Sequence, residues 1–246
     1  MSPHTRETRA FANEIKFVVG QAAGEQIREW ARIRLDPDPH GSGPFDDEYH
    51  TTSIYFDTSR FDVFHRRGSH GRAKYRVRRY GSADMVFLER KLRKPGILVK
   101  RRTVAPAEVL GRLQAEDASA DWPGQWFQRR LLVRKLRPVC LVSYRRTARG
   151  TLNGHAARLT LDEGLRAVST EAARFSDDPG LPVFDGRMIL ELKYRHQLPA
   201  IFKQLVEEFK LETKSASKYR LSIEALGHAL SGDESPVLRQ RNGLYA

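Results

Sequence analysis

The sequence predicts an α+β fold: a closed antiparallel β-barrel with a polar, basic interior, wrapped by amphipathic helices. Three observations predict it. Strands recur in which charged residues alternate with Leu, Val, Ile, Phe or Tyr, and side chains two apart on a strand share a face. The predicted helices carry apolar stripes that need apolar sheet surface to cover. With helices on the apolar face, the charged faces must meet one another, and closure explains that repetition across distant strands better than an open sheet.

The chain has 246 residues, 43 Lys or Arg against 30 Asp or Glu, and a formal charge of +13. That balance calls for an acidic partner: nucleic acid, an anionic membrane surface or a phosphate-rich ligand. A single cysteine, Cys140, excludes an internal disulfide and a cysteine zinc site. The histidines show no HxH or HExxH spacing. No apolar run reaches the ~20 residues of a membrane span and no signal-peptide core opens the chain, so a cytoplasmic location is expected.

Residues 1–10 are polar and expected to be flexible. FANEIKFVV is a strand with Glu14 and Lys16 opposite Ile15, Phe17 and Val19. Gln21 to Leu35 is helical, its stripe made by Ile27, Trp30, Ala31 and Ile33. DPDPHGSGP is a loop, HTTSIYFDT a strand, and Ser59 to Arg66 a short helix. Arg72 to Arg102 then folds as three strands, turning at Tyr80-Gly81-Ser82 and Lys94-Pro95-Gly96. Lys74, Arg76 and Arg78 share one face; Phe87, Glu89, Lys91 and Arg93 share the next, and Lys100 and Arg102 the third. This block holds twelve Lys or Arg and only the acids Asp84 and Glu89. Like charges opposite each other destabilise strand pairing, so a polyanion lying on this face is favoured over a merely solvated surface.

Pro106 to Gln114 and Gln125 to Lys135 read as helices. PVCLVSYRRTA is a strand with Ser143, Arg145 and Thr147 on the charged face and Val142 and Tyr144 on the other. AARLTLDEGL sets Arg158, Thr160 and Asp162 against Leu159 and Leu161. After a polar loop from Glu171 to Gly186, GRMILELKYR sets Glu191, Lys193 and Arg195 against Leu190, Leu192 and Tyr194. Pro199 starts a helix with Ile201, Phe202, Leu205, Val206 and Phe209 buried, and Ser217 opens the last one, SKYRLSIEAL. No repeat or linker divides the chain, so residues 11–230 form one domain and 231–246 an exposed tail.

Cations meeting inside a barrel repel in a reduced dielectric. Glu14, Glu89, Asp162 and Glu191 offset part of that charge, and an anion must balance the rest. A tunnel of about eight strands is too narrow for a duplex but admits a triphosphate or polyphosphate. Arg79, Arg90 and Arg101 fall on the opposite face as surface charges. Lys74 is placed at the tunnel mouth, Lys193 pairs with Glu191 or meets phosphate, and Asp162 pairs with Arg158 or Arg195.

The ordered set Glu14-Ile15-Lys16, KYRVRRYG, FLERK, VKRR, SYRRTA, RLTLDE, ELKY and SKYR resembles the VTC domain. That is the polyphosphate polymerase branch of the triphosphate tunnel metalloenzymes (the CYTH superfamily). The resemblance covers about residues 11 to 226. It implies an eight-stranded tunnel that binds ATP and inorganic polyphosphate. It also implies that Lys16, Arg76, Arg78, Lys91, Lys100, Arg145, Arg158 and Lys218, with Ser217, contact phosphate. Of these, Arg76, Arg78, Lys91 and Lys16 are the expected catalytic residues. Glu191 matches the metal-binding glutamate for Mn²⁺ or Mg²⁺, with Glu14 and Glu89 as weaker candidates. The first strand lacks the wider superfamily's fuller ExExK, which argues against a carboxylate-rich two-metal hydrolase. The SPX domain and membrane helices of eukaryotic relatives are not expected here, so regulation by inositol phosphates and direct translocation of product do not carry over, and a separate membrane-protein partner is a candidate.

The expected reaction passes the ATP γ-phosphate to a growing polyphosphate chain with release of ADP. The alternatives are a triphosphatase of the same fold and a non-catalytic polyphosphate or nucleotide sensor. Nucleic-acid binding ranks last, because Tyr75, Phe87 and Tyr144 are expected to turn away from the cations as packing residues.

Overall fold

A computed structural model describes residues 13–94, 97–115, 117–118, 121–151 and 157–228. The expectations for residues 1–10, for the turn at 95–96 and for the tail 231–246 lie outside these. In chain order the elements are β1 (Asn13–Val19), α1 (Gln21–Arg34), β2 (Asp36–Pro37), β3 (Glu48–Asp57), β4 (Ala73–Tyr80), β5 (Met85–Lys94) and β6 (Ile97–Pro106). Then follow α2 (Gln125–Val133), β7 (Arg137–Gly150), β8 (Ala157–Ser169), β9 (Leu181–Pro182), β10 (Met188–Tyr194), α3 (Ala200–Glu208) and α4 (Lys218–Ala225).

The strands form one ten-stranded antiparallel sheet ordered β1-β10-β8-β7-β3-β4-β5-β6, with β2 on β7 and β9 on β8. Among the described residues no pairing joins β1 to β6, so the antiparallel sheet expected is present and its closure into an eight-stranded barrel is not shown. The outer edge of β1 is instead engaged by the segment leading into α4: Phe17 bridges Thr213, and Lys214 N donates to Lys16 O at 2.9 Å. The sheet nevertheless curls, because Lys91 Nζ on β5 lies 3.5 Å from Glu14 Oε1 on β1.

Strand alternation sends apolar side chains outward, where the helices cover them. Ile27, Trp30 and Ala31 of α1 and Phe202 and Leu205 of α3 join Phe17, Leu159, Leu161, Leu190 and Leu192 in one buried cluster. Each Leu, Ile or Phe side chain among them stabilises the fold by about 1.5–3 kcal/mol on full burial. Gly24 lets α1 approach β10, since a Cβ there would run into the Met188 side chain. Phe127 and Leu131 of α2 cover Tyr75, Val77, Val86 and Leu88. Ile33, expected in the apolar stripe, is 78% exposed, and Ala107–Gln114 winds as a 3₁₀ rather than an α-helix.

Ser59 to Arg66 is not helical. The carboxylate of Asp57 accepts from Thr58, Val63 and Phe64 N at 2.7, 2.8 and 2.9 Å, and Phe61 and Arg66 adopt positive φ. Side-chain acceptors that capture backbone N–H groups in this way compete with helix formation. Tyr219 Oη of α4 donates to the same fully buried carboxylate, and its ring stacks on Tyr55 at 5.2 Å. Tyr219→Phe is therefore expected to cost about 1.5–3 kcal/mol, the worth of a hydrogen bond to a charged group. Urea denaturation checks this, and an unchanged midpoint would refute the anchoring role.

Candidate active site

The inner face of the curled sheet is polar because the same alternation that buries Leu and Val outside turns Lys, Arg, Glu and Asp inward. Its carboxylates are all engaged. Glu191 on β10 lies opposite Lys16 of β1 in register and accepts from Lys16, Lys193 and Lys218 Nζ at 2.6, 2.7 and 3.4 Å. Asp162 on β8 takes two bonds from Arg146, at 2.6 and 2.8 Å, and lies 2.5 Å from Lys218 Nζ. Glu14 contacts Lys16 at 3.1 Å and Lys91 at 3.5 Å. Glu89 accepts from Arg76 Nε at 2.6 Å and Arg102 Nε at 2.8 Å, with Lys100 Nζ at 3.2 Å.

Burial raises the pKa of every one of these carboxyl groups, but the cations win. Asp162 is held at about 2, chiefly by Arg146 and Lys218. Glu14 is also held at about 2, its burial and the repulsion of Glu191 being outweighed by Lys16, Lys193 and Lys91. Glu89 and Glu191 lie well below the carboxylate range for the same reason. Not every cation is compensated in return. Burial and then the neighbouring Lys91, Lys16, Arg66 and Arg76 push Lys74 down to about 7, and burial and Arg146 bring Lys193 to about 8. Burial would raise Tyr80, yet Arg78 and Arg102 draw its hydroxyl down to about 7.

Arg78 differs from its neighbours. It is 5% exposed, and its guanidinium donates to hydroxyls, to Ser53 Oγ at 3.2 Å and Tyr144 Oη at 3.1 Å, and bonds that of Tyr80 as well. It forms no salt bridge among the described residues.

The structure brings Lys16, Arg76, Arg78, Lys91, Lys100, Arg158 and Lys218 to this face, with Ser217 beside them as the N-cap of α4. Arg158 is held by Asp38 at 2.7 Å and Tyr49 Oη at 2.9 Å. Arg145 is a correction. Its side chain is 55% exposed on the outer face and binds Glu163 at 2.8 Å. The inward residues of β7 are Val142, Tyr144 and Arg146, because Tyr144 lies opposite Thr51 and Val142 opposite Ser53 in the register that carries Arg78. Tyr144 therefore does not turn away from the cations, and neither does Phe87, which lies opposite Arg78 with the Arg102 guanidinium 4.3 Å over its ring. Arg146 and Arg102 are the functional candidates the sequence reading left out. The doubled arginine of SYRR was the signal for the first. Arg79, Arg90 and Arg101 do lie outside, over Phe175 at 4.3 Å and over Trp126 at 5.9 and 4.1 Å.

Among the described residues no group of three His, Cys, Asp or Glu is arranged to hold a metal. Three cations lie on the oxygens of Glu89 and three on those of Glu191. Glu191 differs in having a second carboxylate, Glu14, beside it, and these two fit a metal ion better than Glu89 does. They sit on adjacent strands, repel each other and share the Lys16 ammonium, so a positive charge already lies between two carboxylates.

A sequence profile described as the VTC domain matches residues 11–227. Among solved structures, a putative adenylate cyclase from Bacillus halodurans is similar, with 15% identity, 84% of this chain and 94% of that one covered, and a TM-score of 0.55. A protein from Pyrococcus horikoshii OT3 is similar at 14% identity, with 88% and 99% covered and a TM-score of 0.50. At these identities the likeness is one of fold. No curated protein matches the chain. No helix among the described residues is long and apolar enough to cross a membrane.

Proposed function

The chain belongs to the VTC domain family, within the triphosphate tunnel metalloenzymes, and from that premise we propose that it is an ATP:polyphosphate phosphotransferase. The observation that carries this reading is the inner face itself, where a buried guanidinium, Arg78, has no carboxylate partner among the described residues and the cations of several strands converge. A buried charge without a counter-charge is costly, and a phosphate chain relieves that cost for several side chains at once.

Arg76 and Arg78, two apart on β4, present guanidinium forks suited to phosphate oxygens, and Lys16 and Lys91 supply point charge as negative charge builds. Lys100, Arg158, Ser217 and Lys218 hold the rest of the chain in line. Arg146 keeps Asp162 ionised and in place rather than meeting substrate. The bond between the γ-phosphorus and the β-bridging oxygen breaks as a terminal polyphosphate oxygen bonds to that phosphorus, leaving ADP. The acceptor is already an anion, so no general base is required, and positioning with charge neutralisation suffices. A divalent Mn²⁺ or Mg²⁺ held by Glu191 and Glu14 would supply further neutralisation of phosphate oxygens. A cytoplasmic enzyme handing its polymer to a membrane-protein partner completes the reading.

Incubation of the purified protein with ATP and either metal ion tests it. Polymer on a gel, with ADP formed in proportion, is the expected result. Free phosphate without polymer would overturn the polymerase in favour of a triphosphatase.

A further inference from the structure

Two rows of side chains cross β4, β5 and β6 on the inner face, one two-residue step apart, about 7 Å. The first is Arg76, Glu89 and Arg102, directly opposite one another in register. It is balanced, with a carboxylate between two guanidiniums. The second is Lys74, Lys91 and Lys100, again directly opposite one another. It has no acid of its own, although like charges in that relation oppose strand pairing. Lys91 and Lys100 reach carboxylates of other rows, Glu14 and Glu89. Lys74 reaches none among the described residues. Its Nζ donates to Ser217 Oγ at 2.7 Å, while Lys91 of β5, Lys16 of β1, Arg66 of the segment after β3 and Arg76 of its own strand all face it with positive charge.

We propose that Lys74, with Ser217 and the adjoining lysines, forms an outlying phosphate subsite that takes linear polyphosphate longer than three units, the acceptor chain rather than the nucleotide. This rests on the phosphotransferase reading above. The arginine row, with its built-in counter-charge, serves the short triphosphate. The lysine row is complete only when a further stretch of anion lies across it. Burial and the surrounding cations push the Lys74 ammonium down to about 7 in the free protein, and a bound polyanion draws a proton onto it. Long-chain binding therefore takes up a proton above pH about 7, and affinity falls as pH rises from there toward the ordinary lysine range.

The test is calorimetric titration of the purified protein with tripolyphosphate and with a long-chain polyphosphate, in buffers of different ionisation heat. No turnover is needed. Wild type is expected to prefer the long chain by about ten-fold, the scale of one added charge-assisted contact. Lys74→Met is expected to abolish that preference while leaving tripolyphosphate affinity nearly unchanged. Lys74→Arg is expected to keep the preference but lose the proton uptake, and comparison with it cancels the titration of the ligand itself. Removing a charge crowded by cations should also raise the melting temperature of the free Lys74→Met variant, which shows that it folds. An unchanged chain-length preference in Lys74→Met would overturn the subsite, as would equal losses for both ligands. If polymer synthesis fails but the preference still depends on Lys74, the polymerase reading falls and the subsite stands. If synthesis proceeds and the preference ignores Lys74, the subsite alone falls.

Discussion

Arg78→Met is expected to abolish ATP turnover while leaving the melting temperature nearly unchanged. Arg78 is 5% exposed and makes its hydrogen bonds to the hydroxyls of Ser53 and Tyr144. Its guanidinium also lies beside that of Arg76, whose charge opposes its own. Desolvating such a group costs several kcal/mol, and although the nearby Tyr144, Tyr80 and Glu89 favour its charged form, no carboxylate pairs with it directly among the described residues. Methionine matches the length of the stem and removes the charge. The hydroxyls each lose a partner at about 1 kcal/mol apiece, so the two changes roughly cancel. The catalytic change does not cancel. Loss of a preorganised donor at a phosphoryl group typically costs 10²–10³-fold in rate, and here the same group also binds substrate, so about 10³-fold or more is expected in kcat/KM. Arg149 makes the contrast: it is equally buried, but its guanidinium is tied to Asp47 at 2.8 Å and to the Leu35 carbonyl at 2.7 Å, which is a structural role. Kinetics and a thermal melt on the same preparation decide the matter. Normal turnover in Arg78→Met would remove the assignment of the inner face as a phosphate site.

Much of the fold was legible because a period of two is unambiguous on a long strand. In β4, β5, β8 and β10 the sorting of Arg76 from Val77, Glu89 from Leu88, Asp162 from Leu161 and Glu191 from Leu192 is the same in sequence and structure. It failed on β7, where polarity was taken to mean inward. There the inner face carries Val142 and Tyr144 because α4 shares a buried cluster with them, and where a helix docks is not written in the strand it covers. Closure was illegible for a related reason. Edge pairing uses backbone groups, which every residue carries, so nothing in the side-chain pattern announces that Thr213 bridges Phe17. The helix expected after β3 was lost to Asp57, whose carboxylate gathers backbone N–H groups from Thr58, Val63 and Phe64. Within the site, Glu89 was read as a possible metal ligand and Glu191 likewise, since spacing does not separate a ligand from a counter-ion. Geometry separates them: Glu89 is enclosed by Arg76, Arg102 and Lys100, whereas Glu191 shares Lys16 with a second carboxylate.

Glu191→Gln is expected to destabilise the free protein by about 3–5 kcal/mol at neutral pH, the range for breaking a buried ion pair by deleting one partner. The amide keeps the shape of the side chain but strips the charge that Lys16, Lys193 and Lys218 converge on. The pH dependence has a defined sign. The carboxyl of Glu191 lies well below its ordinary value of 4.5, so its stabilisation is complete above that value and disappears as pH falls through the folded-state pKa. The gap between wild type and variant should therefore be full at neutral pH and close in acid. It should also narrow in alkali: Lys193, already drawn down to about 8, falls further without Glu191 and sheds its proton, relieving the repulsion. The sharper consequence concerns ligand. A site stripped of one negative charge is more positive, so tripolyphosphate should raise the melting temperature of Glu191→Gln by more than it raises that of wild type, through its binding to the folded state alone. Turnover should fall all the same, because the variant has lost half of the carboxylate pair proposed to hold the divalent ion. Melts with and without tripolyphosphate, across acid, neutral and alkaline buffers, separate these effects. A variant that melts with wild type at neutral pH would show that Glu191 is not the hub of the lysine cluster. A smaller ligand shift than wild type would show that its charge assists phosphate binding instead of opposing it.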